Sequence, residues 1–194
     1  MTGVVLCGGE SNRMKTDKGM LVLGDKTWAE LAAEKLSALD LPTVISINPS
    51  QRTTYETHFK KEQLIVDHPT FADVGGPLLG ILSVHKQFPS EDLLVLACDF
   101  PKMETIVLDF LLNQFKKNLA CEAMCFKIEK QVQPLCAIYT ATGLARILNI
   151  YQQKRLERNS MMYVLEQLQP IYLVPDKSWN PYFKNANSKV DLDS

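Results

Sequence analysis

Short, wholly apolar runs recur along this chain, and three of them stop on a residue that can do chemistry. Val4-Val5-Leu6-Cys7 ends at Gly8, Leu64-Ile65-Val66 at Asp67, and Leu93-Leu94-Val95-Leu96-Ala97-Cys98 at Asp99. Runs this brief and this uniformly apolar suit strands buried on both faces. The stretches between them carry apolar residues at helical spacing. After Thr27, which can cap a helix, come Trp28, Leu31, Ala32, Leu36 and Leu39. Pro77 suits the first turn of a helix reaching Lys86. Glu104 or Thr105 opens a third, with Val107, Leu108, Leu111, Leu112 and Phe115 on its buried stripe. Strands are expected at 3–7, 43–47, 64–66, 93–97, 123–126, 135–139 and 171–174, and further helices at 142–153 and 160–168. This alternation predicts an α/β fold in three layers, a mostly parallel central sheet with helices on both faces. In such sheets ligands collect at the carboxyl ends of the strands, where Gly8, Asp67 and Asp99 all fall.

At 194 residues and 46% apolar, the chain reads as a single domain over 1–194. A formal net charge of −1 gives no reason to expect a nucleic-acid partner. No apolar span is long enough to cross a membrane, and neither a signal nor a transit peptide is expected. The five cysteines are odd in number and embedded in apolar runs, so a reducing cytoplasm is the expected compartment. Cys121 and Cys125 lack further ligands at zinc spacing, and His58, His68 and His85 form no motif.

The first run leads into Gly8-Gly9, followed by a polar stretch carrying Arg13, Lys15 and Lys18. Glycines let a ligand approach the main chain, and fixed cations grip a triphosphate. Neither standard phosphate loop fits: there is no Gly-Lys-Ser/Thr, and no third spaced glycine. Asp99, set after a strand and before Phe100-Pro101, is read locally either as an oxygen ligand for Mg²⁺ or as the cap of the next turn. Asp67 reads as a turn aspartate or a ligand contact. Ser46 and Asn48 close the second strand, where Asn48-Pro49 is also a turn signal.

Taken in order, these segments resemble one family. Leu6-Cys7-Gly8-Gly9, Ser11, Arg13-Met14 and Asp17-Lys18 resemble the opening of MobA-like nucleotidyltransferases. Gly76-Pro77-Leu78, with Gly80-Ile81 following, resembles the family's Gly-Pro-Leu-x-Gly-Ile, and Cys98-Asp99-Phe100-Pro101 its Cys-Asp-x-Pro. Phe183-Lys184-Asn185-Ala186-Asn187 resembles its C-terminal asparagine pair, with weaker echoes at Gln133-Pro134-Leu135 and Ser160-Met161-Met162. Cys7 stands for a usual alanine, Lys15 for a glycine and Lys189 for a proline.

The resemblance implies a Rossmann-like nucleotidyltransferase fold, with a nucleotide-binding half at about 1–100 and an acceptor half at about 101–194. It implies transfer of GMP from GTP to the molybdopterin form of the molybdenum cofactor, with release of pyrophosphate. Leu6, Cys7, Gly8, Gly9, Lys18, Ser46, Asp67 and Asp99 would bind the nucleotide. Arg13 and Lys18 would neutralise the triphosphate, Asp99 would hold Mg²⁺, and Asn185 and Asn187 would meet the acceptor. Handover from a cofactor-insertion protein and delivery to an acceptor apo-enzyme are implied as well. Two other functions share these features: transfer from CTP or another nucleotide to a pterin, isoprenoid or sugar phosphate, and GTP binding by a regulatory protein without catalysis.

Overall fold

The computed structural model describes residues 1–8, 17–118 and 120–186. Its elements in chain order begin with β1 (Thr2–Leu6), a small hairpin of β2 (Val22–Leu23) and β3 (Lys26–Thr27), and α1 (Trp28–Ser37). Then come β4 (Thr43–Ile47), the one-turn α2 (Arg52–Tyr55), β5 (Leu64–Val66), α3 (Pro77–Gln87) and β6 (Leu93–Ala97). The remainder is α4 (Thr105–Lys117), β7 (Ala123–Ile128), β8 (Gln131–Tyr139), α5 (Ala141–Gln152), α6 (Met161–Glu166) and β9 (Pro170–Leu173).

Seven strands form one sheet in the order β5-β4-β1-β6-β8-β7-β9. Pairings β4–β5, β1–β4, β1–β6 and β7–β9 are parallel, and β8 runs antiparallel to both its neighbours. The mostly parallel sheet expected from the sequence is therefore present, with β8 as the reversed strand. Strand residues alternate between faces. Val5, Ile45, Ile47, Leu94 and Leu96 pack against α1 and α4; Val4, Leu6, Val44, Leu93 and Val95 pack against α3, α5 and α6. Helices thus cover both faces. Among the described residues no helix is long and apolar enough to cross a membrane.

Local chemistry starts several of the helices. Thr27 and Glu30 form a reciprocal capping box on α1, with Thr27 N to Glu30 Oε2 at 2.7 Å and Glu30 N to Thr27 Oγ1 at 3.2 Å. Thr140 Oγ1 accepts from Gly143 N at 3.0 Å at the head of α5, and Ser160 Oγ from Tyr163 N at 3.3 Å at the head of α6. Gly76, at φ 67°, turns the chain so that Pro77 can open α3.

Two hairpins depart from the expected elements. β7 and β8 extend past the apolar segments 123–126 and 135–139, pairing Lys127 with Val132 and Ile128 with Gln131. The extension is mixed, with only Ile128 and Val132 apolar, and its turn puts Glu129 at φ 53°, so neither an apolar run nor a glycine announces it. The β2–β3 hairpin is only two residues a side, too short for a periodic signal.

Candidate active site

The parallel strands β5, β4, β1 and β6 deliver Asp67, Asn48, Gly8 and Asp99 to one edge of the sheet. Three interstrand spacings separate the Asp67 strand from the Asp99 strand, about 14 Å in all. A cleft of about 1200 Å³ opens along the Asp67 side, walled by Gly8, Asn48, Asp67 and His68 and by the segment from Gly75 to Gly80 that starts α3.

Gly8 lies on the floor between the two walls. A Cβ there would stand 3.6 Å from both Asn48 N and Asp67 Oδ2, narrowing the space between them. The backbone leading to it is already committed. Leu6 O accepts from Cys98 N at 3.1 Å, and Cys7 N and Gly8 N both donate to Ser46 O, at 3.0 and 3.1 Å. These groups build the wall; the amide of Gly8 is not spare for a ligand. The side chains of Leu6 and Cys7 are buried in the two core layers. Beneath the site, Cys98 shares a side-chain hydrogen bond with Cys7, and that bond together with burial raises the Cys98 thiol well above its ordinary pKa.

The side chain of Ser46, expected beside the base or ribose, instead lies under α3, where a Cβ on Gly80 would collide with its Oγ. It is 1% exposed and does not line the cleft. Only its main-chain carbonyl serves the site. The reason is strand alternation: Ser46 shares a face with Val44, the face that α3 covers.

The two aspartates have different surroundings. Asp67 Oδ1 is buried with no hydrogen-bond partner among the described residues, and burial pushes its carboxyl up to about 6. Asp99 Oδ2 meets Lys18 Nζ at 3.2 Å, while its Oδ1 is buried and without a partner among the described residues. Lys18 opens a 3₁₀ turn, Lys18–Met20, whose N-cap is Asp17. Behind the metal candidate, Lys35 of α1 donates to Pro101 O at 2.8 Å, and burial lowers its pKa.

The C-terminal segment returns to this edge. Ala186 N donates to Asp99 O at 3.0 Å, and Phe183 packs edge-on against Phe126 with ring centroids 4.9 Å apart. Asn185, next to Ala186, is exposed beside the Asp99 turn. Gly9, Arg13, Lys15 and Asn187 lie outside the described residues.

A group the sequence reading did not reach is Gln51. Its Nε2 donates to Asp17 Oδ2 at 2.7 Å and to Cys7 O at 3.0 Å, while its Oε1 accepts from Asn48 N at 2.8 Å. Asp17 Oδ1 accepts from Tyr55 OH and from Gly19 N, both at 3.0 Å. The available signal was slight: Gln51 and Tyr55 are four apart, hence on one face of a helical turn.

A glycine-floored cleft with acidic groups at the ends of parallel strands is what a nucleotide-handling α/β protein presents, and comparison with known proteins decides which kind. The model of the MobA-like NTP transferase domain matches residues 3–170. The chain belongs to that family. It is a nucleotidyltransferase.

Similar proteins agree along nearly the whole chain. A probable molybdenum cofactor guanylyltransferase of Flavobacterium johnsoniae is 27% identical over 192 residues, covering 99% of this chain and 94% of its own. A molybdenum cofactor guanylyltransferase of Campylobacter jejuni is 29% identical over 164 residues, covering 82% of this chain and 78% of its own. Among solved structures, molybdopterin-guanine dinucleotide biosynthesis protein A from Archaeoglobus fulgidus superposes with a TM-score of 0.77 at 24% identity, over 100% of this chain and 95% of that one. The bifunctional IspDF of Campylobacter jejuni shares the fold with a TM-score of 0.72 at 15% identity, over 100% of this chain and 53% of that one.

Proposed function

We propose that this protein transfers GMP from GTP to the molybdopterin form of the molybdenum cofactor and releases pyrophosphate. The relatives named as molybdenum cofactor guanylyltransferases support that substrate pair. The observation that carries the choice of guanine is Asp67: a half-buried carboxylate on the cleft wall with one oxygen unsatisfied among the described residues. Guanine presents N1–H and the N2 amino group side by side, two donors that one carboxylate accepts together. Cytosine has a single donor group on its pairing edge. A buried acceptor with nothing to accept from is costly, so the base that satisfies it is favoured over one that does not.

With the base at Asp67, the span of about 14 Å to the Asp99 strand leaves the triphosphate running over Gly8 toward Lys18 and Asp99. The terminal phosphate of the pterin attacks the α-phosphorus; one P–O bond forms as the bond to the β-phosphate oxygen breaks. The nucleophile is already ionised at neutral pH and needs no general base. Catalysis then rests on alignment and on neutralising charge. Lys18 supplies a cation at the phosphate end, and Arg13 is assigned a second, and Asn185 and Asn187 the acceptor, by their places in the family motifs.

Asp99 Oδ1, buried and without a partner among the described residues, fits a hard cation, which Mg²⁺ satisfies with one or two carboxylates, waters and phosphate oxygens. When bound there, Mg²⁺ supplies charge neutralisation for the phosphates and the departing pyrophosphate. Calorimetric titration with GTP, CTP, UTP and ATP in the presence of Mg²⁺ tests the reading. GTP is expected to bind tightest; CTP binding equally well or better would overturn the guanylyl assignment.

A further inference from the structure

The amide of Gln51 ties its own turn to two residues that lie 44 and 34 positions away in the sequence. On one side it takes the carbonyl of Cys7, at the entry to segment 9–16. On another it takes the carboxylate of Asp17, at the exit from that segment and directly before Lys18. Its oxygen holds the amide of Asn48, on the cleft wall. All its hydrogen-bonding capacity on the nitrogen is used, and the geometry is specific to an amide, which donates two bonds and accepts another on the same plane. Asp17 is held in turn on both of its oxygens. Gln51 fills one oxygen, and Tyr55 OH and Gly19 N fill the other. Tyr55 is fully buried, and burial holds its phenol protonated and so a donor toward Asp17. The turn at Gly19 packs directly against Tyr55, where a Cβ would collide with the hydroxyl.

Gln51, Asp17 and Tyr55 do not line the cleft, but their hydrogen bonds together fix where Lys18 begins its turn. Lys18 Nζ in turn stands 3.2 Å from Asp99 Oδ2. We propose that Gln51 is a positioning residue for phosphoryl transfer: through Asp17 it sets the Lys18 ammonium against Asp99, and through Cys7 O and Asn48 N it fixes the cleft wall relative to that cation. The assignment rests on the nucleotidyl-transfer reading for its kinetic consequence and on the hydrogen bonds alone for its structural one. A misplaced cation is felt where negative charge gathers in the transition state rather than in ground-state binding.

Gln51→Glu keeps the shape and replaces the double donor with an acceptor facing Cys7 O and the Asp17 carboxylate. Pyrophosphate release from GTP with molybdopterin and Mg²⁺ is expected to lose about tenfold or more in kcat while KM for GTP stays within about threefold. Amide exchange at Gly19, measured on the nucleotide-free protein, is expected to quicken. Adding Asp17→Asn restores a donor toward the introduced carboxylate and leaves an oxygen for Gly19 N and Tyr55 OH, so the double variant is expected to regain part of the lost kcat. Tyr55→Phe, a milder change at the same carboxylate, should move kcat and Gly19 exchange the same way by less.

Unchanged Gly19 exchange, or a raised KM at unchanged kcat, or a double variant no better than Gln51→Glu, would overturn the positioning role. If the wild-type protein releases no pyrophosphate from GTP, the substrate reading has failed. The Gly19 exchange then still judges the Gln51 assignment on its own.

Discussion

Asp67 and Asp99 leave the same edge of the same sheet, yet the protein surrounds them in opposite ways. Asp99 has a lysine ammonium 3.2 Å away, so its charge is balanced within the fold. Asp67 has no such cation among the described residues, and burial alone moves its carboxyl up to about 6. One end of the site is organised around full charges, suited to phosphates and a divalent ion. The other offers an expensive, unsatisfied acceptor, suited to neutral N–H donors. A single polar wall would serve both poorly, since a cation suited to phosphate would also satisfy an acceptor suited to a base.

If that division is right, substitutions at the two ends should fail in different ways. The largest effect is expected at Asp99→Asn, which keeps size and polarity but removes the carboxylate charge proposed to hold Mg²⁺. Magnesium-dependent turnover should fall by about a thousandfold with the melting temperature nearly unchanged. Near-native turnover would make Asp99 a turn residue and erase the comparison.

Lys18→Ala comes next. Loss of a preorganised cation is expected to lower kcat by about 10²–10³-fold, by analogy with the removal of an oxyanion donor. Lys15→Gly, which restores the family's residue, should change the rate by less than about twofold when both are measured at one ionic strength. Equal damage from the two would mean that the roles carried over from the family motif do not apply to this segment.

The smallest change in rate and the sharpest change in selectivity are expected at Asp67. Asp67→Asn should reduce the preference for GTP over CTP by about tenfold to a hundredfold while sparing kcat. Protonation should mimic it: GTP affinity of the wild type falls as pH drops through about 6, and that of the variant does not. Stability moves the other way. A carboxyl raised on folding makes the native state the stronger proton binder, so its contribution is favourable at low pH and is lost as pH rises from about 4 to about 6. Asp67→Asn should therefore melt at a higher temperature than wild type at pH 8, with the gap closing toward pH 4. Thermal melts across that range give the answer. A variant less stable than wild type at pH 8 would show that the carboxylate is part of the fold's support, not a cost borne for a ligand.

Much of this was legible in the chain because the signals are local. Apolar runs too short for helices, with Gly8, Asp67 and Asp99 at their ends, are enough to specify parallel buried strands and the edge where ligands gather. Thr27 and Pro77 mark helix starts through hydrogen bonds and steric effects that span a single turn. The largely charged and amide-rich extension of β7 and β8 was not legible, since those residues become strand by pairing with each other. The face of Ser46 was not either. Alternation assigns it to Val44's side, but only the packed molecule shows that α3 covers that side and that Gly80 presses on the hydroxyl.

Sequence by itself determined the layered α/β architecture, the family, and the residues that meet at the sheet edge, because strand length, helical period and motif order are properties of neighbours along the chain. Tertiary structure alone decided how those residues are held. It set a lysine against Asp99 and left Asp67 to burial. It also committed the Gly8 amide to Ser46 O and brought Gln51 to Cys7 and Asp17 across separations of 44 and 34 residues. Such contacts depend on which side chains the folded chain brings within about 3 Å of one another, and no spacing in the sequence encodes that distance.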